Sequence, residues 1–111
     1  MADRALAIAR QPVVIITGAG NTTLIAGVAE YRIHIVGLAL SANAIARITL
    51  QDEHTSLMDI QLVAGGVIVL PDSTAGWLRC ASGDDFVLAN GTAANVGGTI
   101  LYRMVPDHME L

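Results

Sequence analysis

From Pro12 almost to the C-terminus, the chain alternates short apolar segments with Gly, Pro, Asn or Asp about every eight to twelve residues. This rhythm predicts short strands joined by turns, hence an all-β fold, an antiparallel β-sandwich, with little room for a helix-based active site. Pro12-Val-Val-Ile-Ile-Thr17 is the first strand, and its unbroken apolarity is the pattern of burial on both faces. After the Gly18–Asn21 turn, Thr22–Ala26 makes a short second strand. Glu30–Leu40 is the longest. In it Tyr31, Ile33 and Ile35 share one face and Arg32 and His34 the other, until Val36-Gly37, where the apolar positions change parity to Leu38 and Leu40. A bulge or bend at Gly37 is therefore expected, letting one strand serve two surfaces.

Ala44–Gln51 alternates cleanly, with Ile48 and Leu50 inward and Arg47, Thr49 and Gln51 outward. Met58, Ile60 and Leu62 repeat the pattern against Asp59 and Gln61, so one face of that sheet is wet. Val67–Leu70, Trp77–Ala81, Phe86–Ala89 and Val96–Val105 complete the set. The total of about eight to nine strands suffices for two packed sheets with Greek-key connections. Residues 12–106 thus read as one domain, preceded by an arm or short helix over 1–11 and followed by a loose tail over 107–111.

Composition adds a surplus. Hydrophobic residues make up 53% of the chain and charged residues 14%, more apolar surface than one sandwich of 111 residues needs for its core. Some of it is expected to cover a surface shared with another subunit. Membrane insertion is a poorer account. The longest uncharged, mostly apolar stretch, Ile33–Ala46, is interrupted by His34, Ser41 and Asn43 and falls short of the ~20 residues of a spanning helix. The N-terminus, Met1-Ala2-Asp3-Arg4, lacks the layout of a secretory signal, so synthesis in the cytoplasm is the expectation and the Asn21 and Asn90 sequons carry no meaning. A net charge of −4, with six scattered Arg and no Lys, disfavours nucleic acid as a partner.

Candidate chemistry is sparse. Val13-Val-Ile-Ile-Thr-Gly-Ala-Gly20 looks like the opening of a dinucleotide-binding unit, but Thr23 stands where the third glycine belongs and no helix follows. Gln51-Asp52-Glu53-His54 has metal-ligand residue types, with Asp52 and His54 on one face, yet nothing else in the sequence supplies the remaining ligands. The spaced histidines of metal-binding cupin sandwiches are absent around His34. Asp84-Asp85 follows Ser82-Gly83 in a turn, where adjacent carboxylates point apart and cap. Cys80 reads as a small core residue, and its neighbour Arg79 faces the other way. No Gly-x-Ser-x-Gly occurs. No catalytic residue, cofactor or metal is expected.

Tyr31-Arg-Ile-His-Ile-Val36, Ala44-Ile-Ala-Arg-Ile-Thr-Leu50, Leu62-Val-Ala-Gly-Gly66, Pro71, Gly76-Trp77, Ser82-Gly83-Asp84, Phe86-Val-Leu88 and Val96-Gly-Gly-Thr-Ile-Leu-Tyr102 follow one another in the chain. In this order the chain resembles the small jelly-roll decoration, or cementing, proteins of tailed bacteriophages. The resemblance implies a jelly roll of about eight strands, usually a trimer, that clamps the major capsid protein from outside the head without catalysis. On this reading Leu38, Leu40, Trp77 and Leu101 are candidates for the subunit interface. Arg4, Leu6, Ile8 and Arg10 are candidates for a capsid-binding arm, and the mature location is the virion exterior. The alternative is a receptor- or carbohydrate-binding fibre or spike domain of a phage virion.

Overall fold

The structure is a computed structural model that describes residues 11–73 and 76–107, with the backbone alone for 11–17. The strands are β1 (Gln11–Thr17), β2 (Gly20–Ile25), β3 (Tyr31–Ala42), β4 (Ala46–Gln51), β5 (Ser56–Leu62), β6 (Val67–Leu70), β7 (Leu78–Arg79), β8 (Phe86–Asn90) and β9 (Val96–Pro106). One sheet, A, has the order β1-β9-β3-β6, with β7 pairing β3 beyond the end of β6. The other, B, has the order β2-β8-β4-β5. All pairings are antiparallel. Apart from the β4–β5 hairpin, sequence neighbours do not pair; the chain steps between sheets, which is the wrapping of a jelly roll.

The alternation read from the sequence places the core. Ile33, Ile35, Leu40, Ile48, Leu50, Phe86, Leu88, Val96 and Ile100 are fully buried between the sheets. Each contributes about 1.5–3 kcal/mol by leaving water. Cys80 joins the same cluster, as the sequence suggested. β3 carries the expected irregularity: its register against β9 shifts between Ile35, opposite Tyr102, and Gly37, opposite Leu101.

The consequence of that bulge differs from the expectation. The extra residue cancels the parity change, so Leu38 and Leu40 point into the same core as Ile33 and Ile35. One strand serves one core. Leu38 and Leu40, at 4% and 1% exposure, are therefore core residues and not a subunit surface.

Wrapping of this kind gathers the connections at two ends. Residues 18–19, 43–45, 63–66 and 91–95 meet at one end, where Asn95 N donates to Asn43 Oδ1 (2.8 Å) and Gly65 N to Ala42 O (2.9 Å). Residues 26–30, 52–55 and 80–85 meet at the other. Gly27 is required there: a Cβ on it would lie 2.2 Å from Gly83 O. The proposed arm, with Arg4, Leu6, Ile8 and Arg10, lies outside the described residues except for Gln11, which begins β1. Of the tail, Asp107 is fixed: its N–H donates to Glu30 O (2.9 Å) and its Oδ2 accepts from Ser82 Oγ (2.5 Å).

Candidate functional site

At the end of the sandwich built from residues 26–30, 52–55 and 80–85, the two acidic motifs of the sequence come together. Asp52 closes the β4–β5 turn: its Oδ1 accepts from His54 N (2.8 Å) and Thr55 N (2.7 Å), and its own N–H donates to Thr55 O (3.0 Å). Its Oδ2 accepts from Ala81 N (3.0 Å), tying the turn to the segment after β7. Burial pushes the Asp52 carboxyl up, but the amides of His54, Ala81 and Thr55 outweigh it and hold the group below the usual carboxylate range.

His54 Nδ1 lies 2.7 Å from Asp84 Oδ2. The hydrogen bond and the charge of Asp84 raise the pKa of this exposed imidazole above its ordinary value. Asp52, His54 and Asp84 thus supply three ligand-type atoms within 4.8 Å of one another. The third member was invisible in the sequence, because Asp84 stands thirty residues from His54 and only the wrapping of the sheets joins their loops. Glu53 Oε2 accepts from Asp85 N (2.9 Å) and Asp85 Oδ1 from Gly27 N (2.7 Å). Asp84 and Asp85 therefore point apart, as a capping turn requires. Every carboxylate in the group accepts a hydrogen bond that joins one loop to another, so its work is to pin this end of the molecule.

The broad faces differ from each other. Outward on sheet B stand Arg47, Thr49, Asp59 and Gln61 around an open groove of about 440 Å³, with Thr49 Oγ1 donating to Asp59 Oδ1 (2.9 Å). Outward on sheet A stand Ala39, Val67, Val69, Thr99 and Leu101, which cross-strand partnership sets on one surface. Val67 and Val69 are 62% and 59% exposed. Beside them a groove of about 270 Å³ is floored by Gly37, Leu38 and Leu70 and rimmed by Pro71 and Asp72. Of the four interface candidates, half-buried Leu101 lies on this face, whereas Leu38 is buried and only floors the groove and Leu40 is in the core. Trp77, about half exposed, donates from Nε1 to Pro71 O (2.6 Å). Val67 and Val69 were missed, since a four-residue apolar run reads as buried on both faces.

Cys80 is buried, and burial first, then Asp52, Asp84 and Asp85, push its thiol up to about 12. It stays protonated and unreactive at neutral pH.

No protein-family model matches the chain, and no curated protein is similar to it in sequence. Among solved structures, a chain from the work described as "Bacillus endospore appendages form a novel family of disulfide-linked pili" superposes with a TM-score of 0.53 at 13% identity. The match covers 88% of this chain and 87% of that one. The likeness is one of fold. It supports the sandwich architecture across nearly the whole domain.

Proposed function

We propose that the protein is a structural subunit that self-associates through the outer face of sheet A, as a trimeric decoration protein on the exterior of a tailed-phage head. The observation that carries this reading is the contrast between the two sheets: B presents charge and hydroxyls outward, whereas A presents Ala39, Val67, Val69 and Leu101. Contiguous apolar surface of this kind is normally covered by a partner. A decoration role needs a rigid sandwich with one sticky face and no reaction centre. A subunit that binds only the assembled shell stabilises it by mass action.

The pili of the structural neighbour are described as disulfide-linked. The lone Cys80 of this chain is buried with its thiol held protonated, which disfavours that form of linkage here.

The test is solution mass by light scattering coupled to size exclusion, followed by co-sedimentation with phage heads. The expected result is three times the 11.6 kDa subunit mass and saturable binding to the shell. Deleting residues 1–11 should abolish shell binding and leave the trimer. A stable monomer that sediments with no shell overturns the reading, and glycan-array binding by that monomer would favour the fibre or spike alternative.

A further inference from the structure

The groove on the outer face of sheet A is lined by apolar residues and glycine apart from Thr99 and Asp72. Its depth comes from β3, which sets only Gly37 and Ala39 between Leu101 of β9 and Val69 of β6, so the surface sinks along that strand. In an assembly a neighbouring subunit would cover this ground. A separate subunit leaves it open to water, and apolar surface so placed is normally covered.

The chain itself leads to the groove. β1 begins at Gln11 opposite Tyr102, and its next residue, Pro12, stands opposite Leu101 on the groove wall. The ten residues before Gln11 therefore join the sheet within one residue of the groove's level. Laterally, β3 lies two strand spacings from β1, ~10 Å at ~4.8 Å each. At ~3.3 Å per extended residue, Ile8 reaches ~10 Å from Gln11 and Leu6 ~16 Å, enough to span the groove from Leu101 to Val69. Running straight on, the strand would set Arg10 opposite Arg103, and like charges across a ladder favour a turn off that line. Composition fits as well. Seven of the ten residues are apolar, Leu6 and Ile8 being the branched ones. Arg4 and Arg10 outweigh Asp3 in charge, whereas the charged residue on the groove rim, Asp72, is acidic.

We infer that residues 1–10 lie in the groove of their own sheet A while the subunit is separate, with Leu6 and Ile8 over Gly37 and Ala39. A neighbouring subunit that takes the same face expels the arm, and an expelled arm is free for the shell. The inference rests on the reading of this face as the association surface and adds what covers it before assembly. Arm and neighbour compete, so the arm weakens association in proportion to the fraction of subunits in which it is docked.

The experiment is nitroxide broadening of NMR signals in the full-length chain. Ala2→Cys supplies the reactive thiol for the label, since Cys80 is buried and protonated. The samples are diluted, or carry Val67→Asp outside the groove, until light scattering reads a single subunit. The label should then broaden Val69 and Leu101 of its own chain and leave Arg47 and Gln61, on sheet B, sharp. Leu6→Ser with Ile8→Ser should reduce that broadening severalfold, because a docked arm needs its two anchors. Broadening that survives the double change marks a chain tethered without docking and overturns the inference, as does its absence from the parent. Broadening between separately labelled chains assigns the groove to a neighbour's arm and overturns it too. Deleting residues 1–10 should tighten self-association severalfold, and an unchanged association constant overturns the competition. A chain that stays a single subunit at every concentration, yet shows the same-chain broadening, refutes the association reading and supports the docked arm.

Discussion

Asp52 holds three backbone amides from two segments of the chain. Asp52→Ala leaves those donors without their charged acceptor and should cost about 3 kcal/mol, read as a lower urea midpoint at unchanged slope. A loss under ~0.5 kcal/mol, the range of ordinary surface changes, would show that water replaces the carboxylate.

The two described histidines with shifted pKa values act on stability in opposite directions. His54 is raised, so its contribution is complete below its unfolded value of 6.5 and is lost as pH rises through the folded value. His34 is lowered to about 4, so the unfolded chain binds the extra proton and stability falls as pH drops from 6.5 toward about 4. Thermal melts across pH should show both limbs. His54→Gln should flatten the one above 6.5, and His34→Gln the one between 6.5 and about 4. The Asp52 contribution is lost lower still, below 3.8.

Among the elements, β3 carries a single inserted residue that decides which way its second half faces. Because the register shift at Val36 returns Leu38, Leu40 and Ala42 to the core, deleting Val36 keeps every inward side chain inward and keeps Gly37 opposite Leu101. The cost is the buried Val36 side chain and the Ser73 N–H bond to its carbonyl (2.8 Å). Deleting Ala39 instead turns Leu40 and Ala42 outward. The shortened chain lacking Val36 should therefore retain a cooperative melt and strand-type circular dichroism, whereas the chain lacking Ala39 should not fold. Equal behaviour of the two would contradict the bulge. Gly98 on β9 is a second fixed point, since its φ is +151° and a Cβ there would come within 1.9 Å of Ala39 O.

For the whole molecule, the unequal faces of the sandwich set what it can join. Val67→Asp with Val69→Asp places charge on exposed positions of an edge strand without touching the core. The pair should lower the solution mass to that of a monomer and shift stability by no more than about 1 kcal/mol. If the mass stays that of the unaltered chain, the association surface lies elsewhere, and sheet edges become the next place to look.

Much of this was legible in the residues because strand side chains repeat every two positions. The alternation of Arg47–Gln51 and of Met58–Leu62 set their inward and outward faces, the parity break at Val36-Gly37 located the bulge, and Cys80 read as core. What the bulge does was not legible: parity says that a strand changes, and only pairing with β9 says that the change restores one core and buries Leu38 and Leu40. The same holds for sites. Asp52 and His54 were visible as neighbours, but Asp84 joins them only because the wrapped sheets bring two distant loops to one end. The groove on sheet A likewise needs β9, β3 and β6, three strands far apart in sequence. Local period determines which face a side chain takes, whereas long-range strand order determines its neighbours, and that order arises from the packing of the two sheets.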